Sequence, residues 1–352
     1  MTHPEIQARP IALSVAGMIT ALGGDVDSSC AAMRAKFNHY AETDFVDQDW
    51  HPIVGARAAL DATLYGEARL IEMAQRALTN DGSNTLDARL CQSTPLLLCT
   101  PEPGRAGRAD DDMALLARIS ARLGVNFHAH SSALAHGRVA GLMAIQVAQT
   151  LLYEHGHQQV LALAVDSLID ADVLAELDEA GRLLTPENPH GLIPGEAGVA
   201  IWLTRPSTQP VDAIFEGAAF ATSEPAAKGA RTLPIDGQEL AAAITTACDN
   251  AGCSPADIGV RLADCNGSPA LFEESSLAET RAFTAEDAPL PALWLPAETL
   301  GEVGAAYSLA AIVWACHAQR KGYWPGQRAL VHASNDDGLR GAAVLQFQFR
   351  GK

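Results

Sequence analysis

The stretch Ser132 to Gln149, SALAHGRVAGLMAIQVAQ, reads as a loop entering a helix that is apolar almost all the way round, yet its first turn carries Arg138. A cation there meets the positive end of the helix dipole, and desolvating it without a partner is costly. Just upstream, NFHAHSSALAH places His128, His130 and His136 beside Ser131 and Ser132, residue types that could build a serine–histidine nucleophile or a metal site. No Gly-x-Ser-x-Gly pattern or metal-ligand spacing accompanies them, which favours a polar loop at a dimer interface. The run Asp110 to Asp112 in RADDDM suits a helix N-cap and dipole partner better than a metal site. YEHGHQQ reads as a solvated helix end, and the Gly and Asn of ENPHGLIPGE and SNDDGLRG suit backbone turns.

The seven cysteines, Cys30, Cys91, Cys99, Cys248, Cys253, Cys265 and Cys316, are scattered. No pair has the close spacing of a zinc or redox centre, which reads as reduced thiols in a cytoplasmic protein. With 48% hydrophobic and 19% charged residues, the chain has an ordinary globular composition. Its 352 residues exceed the size at which a single core stops growing, so two fused halves are expected. The formal net charge of -18 argues against nucleic acid or an anionic membrane as the main partner. MTHPEIQARP does not resemble a secretory signal, and no uncharged apolar run approaches a membrane span.

Apolar runs of strand length alternate with helical stretches, the pattern of an α/β protein. IALSVAGMIT is a strand, DSSCAAMRAKF a helix with Asp27 or Ser28 as N-cap, and ARLIEMAQRALTN an amphipathic helix. TPLLLCT is a short buried strand, and DMALLARISARLG a helix closed by Gly124. QQVLALAVDSL and GEAGVAIWLT are buried strands, and RPSTQP looks like a joint. DGQELAAAITTACDNAG, EESSLAETRAF and GAAYSLAAIVWACHAQRKG are helices, with IGVRLADCNGS and GAAVLQFQF as strands. The alternation suggests two halves, 1–207 and 208–352, from an internal duplication; periodicity alone does not show that they share one topology.

Taken in order, these segments resemble the β-ketoacyl synthases of the thiolase superfamily over nearly the whole length. ALSVAGMITALGGDVD is similar to the family's opening strand and turn. VLALAVDSLIDADVLAEL resembles the strand and acidic turn after the nucleophile helix. HGLIPGEAGVAIWL resembles the following strand, with Gly195, Glu196 and Ala197 in place. ETLGEVGAAYSLAAIVWA is similar to the glycine-rich loop and central helix of the second half, and LADCNGSPALFEE stands where a strand end usually carries a histidine. The resemblance implies a thiolase-like α/β fold, two duplicated βαβαβαββ halves in five α-β-α-β-α layers, and a homodimer.

The same correspondence removes the family's chemistry. The nucleophilic cysteine falls on Arg138, the first histidine on Asn266, the second on Glu298 and the lysine on Leu293; the Asn motif becomes SNDDGLRGAA. No catalytic, cofactor-binding or metal-binding residue is therefore expected. In the family the cysteine and second histidine are neighbours, so Arg138 and Glu298 are expected to form a buried pair with Asn266 beside it, filling the former acyl pocket. The competing reading has Arg138 reaching solvent and Glu298 on the surface. The function implied is binding, as a partner subunit or accessory factor of an active ketosynthase, an acyl carrier protein or a secreted effector. The alternatives are an acyltransferase using Ser131, Ser132 or a displaced cysteine, and a small-molecule binder using the remnant pocket.

Overall fold

Two runs of five strands, each with the same order and directions, make up the core of the structure, a computed structural model describing residues 9–79, 86–222, 235–283 and 290–347. The first run holds β1 (Ile11–Thr20), α1 (Val26–Arg34), a hairpin of β2 (Ala41–Val46) and β3 (Pro52–Gly55), α2 (Gly66–Leu78), α3 (Ala88–Ser93), β4 (Leu96–Thr100), α4 (Asp112–Leu123), β5 (Ser132–Ala135), α5 (Ala140–Tyr153), β6 (Gln159–Ser167), α6 (Ala171–Glu179) and β7 (Glu196–Thr204). The second holds β8 (Ala213–Thr222), α7 (Gln238–Asn250), β9 (Ile258–Leu262), α8 (Pro269–Ala282), β10 (Ala292–Trp294), α9 (Ala297–Leu300), α10 (Tyr307–Arg320), β11 (Arg328–Ser334) and β12 (Leu339–Gln346).

The main sheet runs β10-β9-β11-β12-β8-β1-β7-β6-β4-β5. Reading outward from its centre, β1-β7-β6-β4-β5 and β8-β12-β11-β9-β10 follow one pattern. In each, two antiparallel pairings are followed by two parallel ones. Periodicity could not show this shared topology. The two runs meet edge to edge where Ile11 to Leu13 pair antiparallel with Phe215 to Ala213. RPSTQP, the expected joint, links β7 to β8 on either side of β1.

Side-chain alternation along each strand creates the layers. Leu97 and Cys99 of β4 join a central core with α5 and α10, while Leu96 and Leu98 face an outer core with α2 and α4. In the second run Ala329, Val331 and Ala333 of β11 face the same central core, and Leu330 faces an outer core with α7. The order is thus helix, sheet, helix, sheet, helix. α5 and α10 are largely apolar because they lie between sheets on both sides, although α5 exposes Gln146 and Thr150.

Two local expectations need correcting. The N-cap of α1 is Asp25, whose side chain accepts the Ser28 N–H at 2.7 Å, because Asp27 and Ser28 are already inside the helix. α8 begins at Pro269, earlier than EESSLAETRAF, since proline at a helix start lacks only an N–H that would have no partner there. Asp111 caps α4, and Gly124 ends it at φ 69°, as its sequence implies.

α5 and α10 approach closely at Gly141, where an added Cβ would lie 2.8 Å from Leu309 Cδ2 and 2.9 Å from Ser308 Cβ. Gly141→Val should cost about 1–3 kcal/mol by forcing these helices apart. Gly24→Ala, which meets nothing within 4 Å, should change stability by only a few tenths. Denaturant midpoints at constant slope check both.

Candidate functional site

Where the resemblance puts a nucleophile, the chain buries a guanidinium. Gly137–Val139 forms a short 3-10 turn leading into α5, and Arg138 is only 8% exposed. Its Nε and Nη2 donate to the Ser334 carbonyl at 2.8 and 2.5 Å, and Nη2 also donates to Asp336 Oδ1 at 3.1 Å. Asp264 Oδ2 lies 3.1 Å from Nε and Glu302 Oε2 lies 3.5 Å from Nη1. The arginine thus meets three carboxylates and a carbonyl, delivered by the end of β9, the loop after α9, and β11 with its following turn.

Each carboxylate is itself held. Asp264 Oδ2 accepts the Ser334 N–H at 2.7 Å, so β9 and β11 are tied at the arginine. Glu302 Oε1 accepts the Gly304 N–H at 2.8 Å, and its Oε2 accepts from Asn266 Nδ2. Asp336 is shared with Arg182 Nη1 at 2.7 Å. Nearby, Asp166 takes Arg105 at 2.5 Å and accepts the Ala305 N–H at 2.8 Å. Glu302 and Asp166 therefore both serve the 3-10 turn Gly304–Ala306 that begins α10, where anions are favoured.

The electrostatics follow from crowding acids in a dry space. Burial pushes the Asp264 carboxyl above its ordinary value, although Arg138 pulls it down. Burial likewise raises Asp166 and Glu102 against the pull of Arg105 and Arg138. Burial would also raise Asp336, but Arg138 and then Arg182 outweigh it and hold that carboxyl well below the usual range. Arg138 stays charged at any workable pH: its carboxylates, Glu302 foremost, outweigh a burial penalty that by itself is the largest influence.

Sequence reasoning placed Arg138 and Asn266 together, and the structure joins them through Glu302. It does not bring Glu298 or Leu293 there. Glu298 is half exposed and pairs with Lys36 Nζ at 3.2 Å. AETLGEVG holds two glutamates four residues apart, and the chain reverses at Gly301 (φ 69°) after the short α9, so the second one enters the pocket. The expected Arg138–Glu298 pair is therefore replaced by Arg138 with Asp264, Glu302 and Asp336. Leu293 lies on the edge strand β10, 39% exposed and in register with Arg261.

Two of the candidate nucleophiles, Ser131 and a displaced cysteine, are otherwise engaged or buried. Ser131 Oγ donates to the His128 carbonyl at 2.6 Å and accepts the Leu96 N–H at 2.9 Å, so its proton does not face an imidazole. Cys265, next to Asn266, is buried, and that burial pushes its thiol up to about 12. His128, His130 and His157 come close enough to share a metal ion, on loops apart from the residues around Arg138. The grooves lined by His39 to Arg57 and by Phe45 to Glu179 include none of the residues around Arg138.

Arg138→Met should cost about 3–5 kcal/mol, because it strands buried carboxylates. Glu302→Gln should cost less, since Asp264 and Asp336 remain. The double variant should lose less than the sum of the two. Asp264 and Glu102 are raised, so their neutral forms favour folding at low pH and the benefit fades as pH rises through their raised values. Asp336 is lowered, so it stabilises above its ordinary value and the benefit is lost in acid. Arg138 favours every ionised form. The deficit of Arg138→Met should therefore be largest near about pH 7.5 and shrink towards about pH 5. Glu298→Ala should stay within about 0.5 kcal/mol of wild type. Urea unfolding across this pH range measures all four.

No protein-family model and no curated protein matches the chain. Solved structures do. A chain from a type II polyketide synthase complex, an acyl-carrier protein with its ketosynthase bound to the hexaketide, superposes with a TM-score of 0.76 at 14% identity, over 97% of this chain and 100% of its own. The oxazolomycin ketosynthase domain of Streptomyces albus gives 0.76 at 14% identity, over 97% and 75%. The ishigamide ketosynthase/chain length factor gives 0.68 at 17% identity, over 96% and 99%. The chain is built on the thiolase-like ketosynthase fold.

Proposed function

We propose that this protein acts by binding, as a non-catalytic subunit or accessory factor built on two thiolase-like halves, 1–207 and 208–352. One observation carries the reading. The start of α5, where a ketosynthase would hold its nucleophile, is filled by an arginine locked to Ser334, Asp264, Glu302 and Asp336. A thiolate needs a positive, anion-free setting. Here the surroundings carry the opposite charge.

The partner best supported is an active ketosynthase in an acyl-chain-building complex, since structures similar in fold include a ketosynthase/chain length factor and a ketosynthase with its acyl-carrier protein. A secreted effector is the second candidate. The edge strand β5 supports self-association or pairing with a relative: within the chain it pairs only with β4, and its other edge has no ladder partner among the described residues.

Incubation with acyl-thioesters followed by intact-mass measurement should show no covalent adduct. Arg138→Cys should remain unacylated, because Asp264 and Glu302 would raise the new thiol and the positions matched to the family's histidines hold Asn266 and Glu298. An acyl adduct on the wild-type protein would overturn the non-catalytic reading. Light scattering at micromolar concentration should give a dimer; a stable monomer would count against self-association.

A further inference from the structure

α5 is 14 residues long, about 21 Å at 1.5 Å per residue, with Arg138 just before it and a cluster of histidines just past its far end. The loop before β5 supplies His128 and His130; the loop after α5 supplies His155 and His157. Ring centroids are 4.7 Å apart for His128 and His130, 4.5 Å for His128 and His157, and 5.1 Å for His130 and His157. One nitrogen from each of these three lies within 4.8 Å of the others. His155 stands 5.0 Å from His130, ring to ring.

We propose that His128, His130 and His157 bind one divalent cation of the zinc class, clipping the loop that leads into the edge strand β5 to the loop that follows α5. Tetrahedral zinc with Zn–N bonds of about 2.0–2.1 Å holds its nitrogens about 3.3 Å apart, so His130 and His157 must part slightly while any wider pair of these rings, whose nitrogens lie within 4.8 Å, closes on the ion. His130 Nδ1 and His157 Nε2 are 2.9 Å apart. His128 Nδ1 at present accepts the His130 backbone N–H at 3.0 Å, and metal uptake exchanges that bond for a dative one.

Metal binding requires neutral imidazoles. Burial first, then His128, lowers His157 below its ordinary value, with His130 and His155 adding to the effect. The three ligands include no carboxylate or thiol, which favours zinc, copper or nickel over magnesium or calcium. His128 and His157 are half-buried and His130 is exposed, so an ion can enter from solvent. His155 or water completes the shell. Glu154 beside them is engaged by Arg9 at 2.6 Å.

Isothermal titration of the metal-stripped full-length protein with zinc chloride should show about one equivalent bound per chain, with the melting temperature raised because the ion binds the folded state. His157→Gln and His130→Gln should each weaken uptake by at least about tenfold. His39→Gln, on a different loop, should leave it unchanged. Cobalt substitution should give the visible bands of a tetrahedral nitrogen site. The proposal fails if the wild-type protein takes up no stoichiometric zinc. It fails equally if His128→Gln/His130→Gln/His157→Gln, shown folded by circular dichroism, binds zinc as wild type does.

Discussion

A guanidinium buried where two helices begin sets the terms for the central layer. α5 and α10 start alike, each from a 3-10 turn opened by a glycine, Gly137 at φ 47° and Gly304 at φ 51°. At Gly304 an added Cβ would lie 2.0 Å from Asp166 Oδ2, and at Gly137 it would lie 2.2 Å from Glu102 Oε2, so both turns are pressed against carboxylates. Ser308 of α10 donates to the Arg138 carbonyl, joining the two starts. Helix starts attract anions, and anions crowded in a dry space repel one another. Arg138 and Arg105 are the cations that allow the acids to stay there. Without Arg138, Asp264 and Glu302 would face each other with only backbone and amide donors.

The chain solves the problem of burying arginine in two different ways. Arg69 is 1% exposed and grips Glu196 with both Nε and Nη2, at 2.7 and 2.5 Å. Its remaining donors reach the Ala58, Asp61 and Leu64 carbonyls, while Glu196 also accepts from Ala58 N–H and Ser167 Oγ. That is a closed fork-to-fork pair, in which losing either partner leaves the other with no substitute charge. It fixes α2 to the ends of β6 and β7. Arg138 instead divides its donors among several acids on separate elements, so its position depends on how both halves of the sheet are assembled.

The fold was largely legible because its cues are local and repeated. The mostly apolar stretches QVLALAV and LLLCT read as strands covered on both faces, and the helix from Ala140 has only a narrow polar stripe, Gln146, Gln149 and Thr150. Gly124 and Asp111 announced the ends of α4. The hairpin β2–β3 escaped notice because β2 is largely exposed and its sequence lacks apolar alternation; β5 escaped because four residues are too few to carry a period. In the site, the singular position of Arg138 was readable, since an arginine at the start of an apolar helix requires a partner. Which acid would answer was not. Glu298 and Glu302 differ by one helical turn, and only the reversal at Gly301 decides which points inward. Asp264 and Asp336 arrive from strands distant in sequence, and nothing local marks them as partners. The histidine cluster was hidden for the same reason: His128-x-His130 and His155-x-His157 are unremarkable until topology places the two loops side by side.

The fold is shared with ketosynthases, but the start of α5 places an arginine among carboxylates, and that contrast supports the non-catalytic reading proposed above. The buried helix start is a device for stabilising negative charge, and in the resembling family that charge is a reacting sulfur. In this chain the acidic groups there are carboxyls, Asp166 and Glu302 at the start of α10 and Asp264 beside Arg138. The effect extends to the neighbours. Cys265 is raised to about 12 by burial first and by Asp264 next, and Tyr307, buried beside the same acids, is raised well beyond its ordinary value. Either group would ionise against the field of these carboxylates. What the arrangement does well is hold still: β9, β11, α5, α10 and the loop through Glu302 converge on one side chain.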